Sequence, residues 1–498
     1  MRSFTFRQWL ILLTVQFATL LFGATMTSVA VILPQMKGAL SATQDQVSWI
    51  ITFNLVATAI ATPLTGWLAS KFGWRNLMVG SIIGFTTFSV LAGTADSLEI
   101  MLITRVAQGF VGAPIFPLGQ AIILASFSRS QHPFVLMAWG VGGVMGPILG
   151  PLFGGLVAEL FNWRWAFYMI LPMGIIAALF AFAALSNEEK GSAHKFDYLG
   201  FGLIAIAIGA TQLMFDRGQR LDWLESYEIQ LELLLAVVFF YLFMVHILTS
   251  RHALFDPATF KDRNFTIGVI LATIMGALQF TPMVLFPPLL QELRGYPDAI
   301  VGYLISARGM GNFLSFFFVV QFTRFNPRLC LFFGLALQSI AALWMASLDI
   351  NMTTSDVFWT NILHGIGFGT AYTPMAVLAF STLSPRLLTQ GNAIFALLRL
   401  LGSSIFISLT LVVFFRSSAE AGINLNSLID AFDLRNLSVW ITTLGETDQP
   451  AMRLRLLAEV RQQASMIGYI NAFYLLTIAS SIAAPLAFFF VTKRSPRS

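Results

Sequence analysis

Charge is scarce in this sequence. Asp, Glu, Lys and Arg make up 11% of it, where a soluble domain carries roughly 25%. That balance excludes an ordinary water-soluble fold. Cysteine is nearly absent: Cys330 stands alone, so an internal disulfide is impossible and the residue reads as a small packing group. The five histidines, at 132, 194, 246, 252 and 364, have neither metal-ligand nor triad spacing, which argues against a metal site and against a membrane enzyme. A G-x-x-x-x-G-K-S/T loop to cradle ATP phosphates is missing, which argues against a primary pump. No basic face with interleaved aromatics points to nucleic acid, and no cofactor is implied.

What is abundant is apolar length. Hydrophobic residues are 57% of the chain and the mean hydropathy is +0.76. Runs of about 20 apolar residues, enough to cross a hydrocarbon core, recur from end to end. The pattern predicts an all-α polytopic membrane protein with fourteen spans, at 9–34, 46–69, 77–95, 99–126, 134–160, 164–185, 197–215, 229–248, 265–290, 299–322, 329–347, 356–381, 390–415 and 465–491. The first span has no small-residue cleavage site behind it and reads as a retained helix. An even number of spans puts both termini on one side. With the N-terminus inside, 16 bases fall on cytoplasmic segments, among them Arg7, Lys71, Arg75, Arg129, Lys190, Lys195, Arg251 and Lys493, against five in the short outer loops. Both termini are therefore expected in the cytoplasm, and the net charge of +5 follows from membrane orientation.

An internal repeat divides the chain. SKFGWR (70–75) after the second span is echoed by TRFNPR (323–328) after the tenth, and TRVAQGFVG (104–112) by ILHGIGFG (362–369), at offsets of 253 and about 256. The expected division is a six-helix half over 1–186, an inserted helix pair with linkers over 187–264, and a second six-helix half over 265–498. The segment 416–464 is the large extramembrane piece. Its part PAMRLRLLAEVRQQASMI has helical periodicity and reads either as an amphipathic helix on the outer face or as a solvated hairpin.

These motifs carry a resemblance. GWLASKFGWR resembles the loop between helices 2 and 3 of the major facilitator superfamily, through Gly66, Leu68, Ala69, Lys71, Gly73 and Arg75. RVAQGFVGAP, from Arg105, is similar to the fourth-helix motif. GPILGPLFGG is similar to the fifth-helix exporter motif, with Gly146, Gly150, Pro151, Gly154 and Gly155 in place. WRWAFYMILPMG, FDRGQRLDW, QGNAIFALLRLLGSS and RQQASMIGYINAFYLL resemble the fourteen-helix EmrB/QacA-type drug:proton antiporters. The resemblance implies two pseudo-symmetric halves plus two inserted helices, a bacterial inner-membrane location and export of small amphipathic compounds. It also implies a periplasmic adaptor protein and an outer-membrane channel as partners, beside the membrane lipid. Gly66 and Gly73 suit a tight reversal held in the cytoplasm by Lys71 and Arg75; the resemblance adds that this loop braces the halves in one state. Ser70 stands where the family pattern has an acid, so the brace is expected to be softer. The glycines of the fifth span make a smooth face for close helix packing, and the resemblance reads them as a flexing exporter helix.

Proton coupling is harder to place. A carboxylate that alternates between charged and neutral forms is the direct way to exchange a proton for a cation, yet no Asp or Glu falls in the middle of a span. The first-span acid of the family falls at Thr25, by distance from Pro34, and a last-span acid at Asn471. His364 is the remaining titratable candidate within a span. Asp216 and Glu292, near span ends, read as loop-end charges. Arg105, Arg308 and Arg399 are cations inside spans, and such groups face a cavity or a partner. Two readings stand for them: held structurally by backbone carbonyls, or, for Arg105, governing protons or binding as the resemblance implies. The cavity is expected to be lined by Trp49, Phe53, Asn54, Gln108, Gln120, Gln279, Phe280 and Tyr372, a mix of aromatics and amides suited to an amphiphile. A dedicated exporter of one metabolite, a facilitator without proton coupling and a non-transporting receptor are the alternatives.

Overall fold

Backbone polar groups in these apolar runs have no water to bond, so they must bond within the run, and helices result. The structure, a computed structural model, describes residues 4–128, 131–186, 196–250, 254–384, 387–431 and 449–491. Among these there is no strand. The first half holds α1 (Phe6–Ala39), α2 (Gln44–Phe72), α3 (Trp74–Gly93), α4 (Leu98–Ser126), α5 (His132–Leu160) and α6 (Trp165–Ala184). The inserted pair is α7 (Tyr198–Gly218) and α8 (Tyr227–Thr249). The second half holds α9 (Arg263–Leu293), α10 (Asp298–Phe325), α11 (Pro327–Ala346), α12 (Thr354–Phe380), α13 (Leu388–Ala431) and α14 (Gln449–Leu486). Among the described residues, thirteen helices are long and apolar enough to span a membrane; in α5 the described apolar stretch is the shorter Met145–Leu160. Large apolar side chains such as Leu179, Phe182, Tyr241, Phe317 and Ile482 are more than half exposed around the bundle, where lipid would cover them.

Local chemistry sets the helix ends. Thr5 and Thr353 cap α1 and α12 as capping boxes, and Asn326 caps α11 just before Pro327. In α2 a 3₁₀ turn at Thr62–Leu64 contains Pro63, whose missing N–H breaks the ladder. The reversal after α2 falls at Gly73, with φ of 81°, a value that favours glycine.

The start of α9 bonds the last described residue: Asn264 and Val491 exchange hydrogen bonds of 2.8 and 2.7 Å. The far end of α1 meets the far end of α9, where the Gln291 amide donates to the Val31 carbonyl at 2.8 Å. The first and last described residues therefore share one face, here the terminal face; the opposite one is the distal face. In the inserted pair, α7 lies on the line where α2 of the first half meets α13 of the second, and α8 packs mainly on α7.

Within 416–464 the described residues, 416–431 and 449–464, form extensions of the neighbouring spans and not a separate surface helix. Residues 449–464 run on into the last span as one helix, and α13 likewise continues to Ala431, because no proline falls between residues 451 and 484 or anywhere in α13 and no glycine pair interrupts either run. At 44 residues α13 is about 66 Å long, over twice a hydrocarbon core of about 30 Å. The two extensions pack on each other as a hairpin, with Ala464 beside Gly422. The part between 432 and 448 lies outside the described residues, as do the 187–195 linker, Arg129, Lys190, Lys195, Arg251 and the bases beyond Val491.

Candidate functional site

The glycines of α5 form two contact faces. Gly146 faces α1, where a methyl group on it would stand 2.8 Å from Gly23 backbone atoms, and Gly154 faces Ser28 at the same distance. Gly150 meets Thr27 and Ala24 there. This row, one residue per turn, welds α1 and α5 within the first half. The second face crosses the seam between halves. Gly155 lies against the Asp298 carbonyl and Gly302 of α10, and Gly302 in turn against the Pro151 carbonyl. Bare backbone meets bare backbone there.

Polar bonds close the same seam on the distal side. The Gln35 amide donates to the Asp298 carboxylate, which also accepts from Gln291 at 2.7 Å. Lys37 pairs with Glu292 at 2.6 Å, and the Ala299 N–H donates to Glu159 at 2.9 Å. Glu292 is thus an ion-pair partner between halves and not a free loop charge.

Among the described residues each half contains one buried arginine bonded by neutral partners, with Nη2 of Arg105 and Nε of Arg308 left without one. In the first, Arg105 is 1% exposed; its Nε donates to the Ile50 carbonyl at 3.1 Å and its guanidinium to Gln108, while Asn54 donates to the Arg105 carbonyl at 2.6 Å. In the second, Arg308 donates to Asn361 at 2.8 Å and to the Gln279 carbonyl at 3.3 Å. Asn54 and Arg105 recur 254 and 256 positions later as Arg308 and Asn361, so the repeat exchanges the two residue types between helices; the Asn54 amide meets the Arg105 backbone carbonyl, whereas Arg308 and Asn361 bond side chain to side chain. Beside Arg308, Arg399 donates to the Gln279 side chain at 3.0 Å and lies 5.9 Å from the Tyr372 ring. His364 is fully buried, and neither ring nitrogen has a partner among the described residues.

The expected lining residues therefore separate. Gln279 and Tyr372 come together around Arg399, and Phe280, next to Gln279 in sequence, is buried. Asn54 and Gln108 are sealed inside the first half with no exposed surface. Phe53 stacks on Trp49 and lines an apolar groove with Ile103, Val106 and Phe110, whose exposure places it on the lipid side. Gln120 on α4 and Asn471 on α14 stand half-buried. The Thr25 hydroxyl is occupied by the Leu21 carbonyl at 2.8 Å.

In the basic loop, Ser70 donates to the Trp67 carbonyl at 2.8 Å, Lys71 lies 4.9 Å from the Trp67 ring, and Arg75 lies 5.1 Å from the Phe182 ring. A methyl group on Gly66 would meet nothing within 4 Å. These contacts stay within the first half. An acid at position 70 would add a charge-assisted bond, roughly twice as strong as a neutral one. Ser70→Asp is accordingly expected to change turnover by less than about tenfold, and to leave the melting temperature in detergent within a few degrees.

Asp216 departs most from expectation. It is only 7% exposed. Its carboxylate accepts from Thr52 of α2 at 2.9 Å, from Gln212 of α7 at 2.8 Å and from the Ser408 hydroxyl of α13. The Trp49 indole donates to its backbone carbonyl at 3.3 Å. Reading it as a loop-end charge failed because position near a span end says nothing about which side a helix turns inward. A signal was present: Gln212 and Asp216, four residues apart, put two polar groups on one face of an apolar helix.

Comparison with known proteins agrees with this architecture. The profile of the Major Facilitator Superfamily matches residues 15–407. The multidrug export protein EmrB of Escherichia coli K12 is 29% identical over 433 residues, 86% of this chain and 84% of that one. The fatty acid resistance protein FarB of Neisseria gonorrhoeae is 30% identical over 397 residues, 79% of this chain and 78% of that one. A bacterial homologue of the human lysosomal transporter Spinster superposes with a TM-score of 0.65 at 16% identity, covering 98% of both chains. With its helices, its paired halves and this match, the chain is a multi-pass inner-membrane transporter that belongs to the Major Facilitator Superfamily.

Proposed function

We propose that this protein is a secondary exporter of small amphipathic compounds that exchanges them for protons by alternating access. The observation that carries the reading is the seam: glycine contacts between Gly155 and Gly302, flanked by hydrogen bonds and one ion pair, form a closure that can part without unfolding either half. Interfaces of this kind have two discrete arrangements. The bias of basic residues supports placing the terminal face and both termini in the cytoplasm, so the closed distal side faces outward. The divisions near 186 and 264 then separate two moving bodies from the inserted pair. Among relatives, one is named for multidrug export and another for fatty acid resistance, which supports outward transport of amphiphiles.

Gln279, Phe280 and Tyr372 with Arg399 suit a substrate that is greasy at one end and polar at the other. In the first half, Asn54 and Gln108 brace the helices from inside, Trp49 bonds the inserted pair, Gln120 is half-buried and Phe53 stands on the lipid side. Arg105 and Arg308 hold the helix pairs that frame the pathway, with Thr25, His364 and Asn471 as the other polar groups inside it. The two second-half cations near Gln279 favour a narrower second reading, an exporter of acidic amphiphiles. The α13–α14 hairpin offers a distal contact for a periplasmic adaptor and, through it, an outer-membrane channel.

The test is transport in liposomes loaded with a pH-sensitive dye. Ethidium, a neutral steroid and dodecanoate are added in turn under an imposed proton gradient. Substrate-dependent proton movement supports the antiport; movement of labelled solute without protons would leave a facilitator. A preference for dodecanoate over ethidium of more than about tenfold, equal to about 1.4 kcal/mol, would favour the acidic reading.

A further inference from the structure

We propose that Asp216, carried on the inserted helix α7, is the proton-binding group of the transport cycle and that its protonation holds the distal seam shut. This assignment rests on the proton-antiport reading above and gives the inserted pair a role in it.

The geometry is that of a clamp. Asp216 bonds Thr52 of the first half and Ser408 of the second with one carboxylate, so the two halves cannot separate along the α2–α13 line without breaking its bonds. Thr52 is 0% exposed and Ser408 4%, so the joint is dry when closed. Opening the seam would bring the same carboxylate to outside water, where protons exchange freely.

The donors suit a group that changes its proton. Thr52 and Ser408 are hydroxyls, which can donate to a carboxylate or turn and accept from a carboxylic acid. A guanidinium or ammonium partner could do only the first. Each nearby charge is engaged elsewhere or merely faces the site. Arg217, next in sequence, projects about 100° away around the helix and pairs with Glu228 and Glu232 of α8. Arg220 lies 5.0 Å from the Trp49 ring, and Arg416 of α13 donates to Gln219 at 2.9 Å. Arg399 of α13 is bound to Gln279. Asp45 lies about two turns before Thr52 on α2, and its carboxylate accepts from Thr43. Asp222 and Glu225 lie in the short turn after α7. Among the described residues none of these groups bonds the Asp216 carboxylate.

An ion buried without a counter-ion is costly, a neutral acid far less so. Proton uptake and closure of this seam therefore favour one another. A proton taken from outside drives the transporter toward its closed distal state, and loss of that proton toward the cytoplasm frees it to reopen. The Gln212 amide bonds both Asp216 and Ser408 and accepts from Ser404, so the polar groups continue one turn toward the terminal face from the carboxylate. His364, buried on α12 with two unbonded nitrogens, is not part of this clamp.

The test needs no substrate. Nitroxides at exposed Thr94 and Asn351, on distal loops of opposite halves, report the seam by electron-electron resonance in the full chain; Cys330 is buried and does not compete for label. Between about pH 8 and about pH 5, a range that spans perturbed carboxylates, the wild type is expected to shift toward the short distance. Asp216→Asn should show the short distance at both values, and Asp216→Glu should recover the shift. Equal response in wild type and Asp216→Asn overturns the assignment, and a response lost only in Asp298→Asn moves it to that residue. Dye-loaded liposomes separate this from the antiport reading itself. Proton flux with dodecanoate that is unchanged in Asp216→Asn rejects Asp216 alone, whereas solute movement without protons in the wild type rejects antiport and this assignment together.

Discussion

Gly155→Leu will cut transport by about 5- to 150-fold while both halves remain folded, the range that a penalty of about 1–3 kcal/mol against the closed seam corresponds to. The reason is local. Gly155 meets the Asp298 carbonyl and Gly302 with backbone on both sides, so neither neighbour has a flexible end that can yield. A leucine there opposes closure of α5 on α10 and leaves the distal side open in a larger share of molecules. The control is Gly146→Leu on the same helix. That residue faces Gly23 within the first half, so its substitution should lower thermal stability and yield, with the seam affected only secondarily. Melting temperature in detergent and the distal distance between spin labels distinguish the two. A Gly155→Leu protein that transports at the wild-type rate and closes normally would show that the seam does not move in transport.

Arg105→Ala has the other large expected effect, on stability. The substitution removes the donors to the Ile50 carbonyl and to Gln108 and leaves a space the size of a long side chain in a site that is 1% exposed. Unsatisfied buried acceptors and the cavity together should cost about 3–5 kcal/mol, seen as a lower melting temperature and reduced yield. Arg105→Lys keeps the charge but loses the planar set of donors, and it should fall between. Should Arg105 instead handle protons or substrate directly, Arg105→Lys would lose transport with an unchanged melting temperature. The parallel change Arg308→Ala should destabilise the second half in the same way, through Asn361 and the Gln279 carbonyl.

Much of the fold was legible because its signals are periodic and repeated. Runs of apolar residues of membrane length mark the spans, and glycines four apart in α5 predict close packing whatever the partner helix is. Side chains that meet across helices were not legible in the same way. Asp216 sits two residues from the end of α7, and only the rotation of that helix against α2 and α13 decides whether it reaches water or a serine. The expected spans 390–415 and 465–491 stop where the apolar runs stop, whereas α13 and α14 continue past them, because polarity signals the end of the membrane and not the end of a helix. Ser418, Glu420 and Asn424 are good enough helix residues once the partner helix lies alongside. Trp49 and Phe53 are both expected to line the cavity, yet one faces the inserted pair and the other the lipid side.

The exchanged arginine and asparagine carry a consequence for how such a chain can be rewritten. In the first half the cation comes from α4 and the amide from α2; in the second, α10 supplies the cation and α12 the amide. The second-half pair joins side chain to side chain, whereas in the first half the amide meets the arginine's backbone carbonyl and the guanidinium meets the Ile50 carbonyl and Gln108. A protein engineer could test whether the first-half gap also admits the second-half arrangement by transposing the residues, Asn54→Arg with Arg105→Asn; a double variant more stable than the sum of the single losses predicts would show that it does. Read this way, the halves are two solutions of one assembly problem, and parts tested in one become a guide to the tolerance of the other.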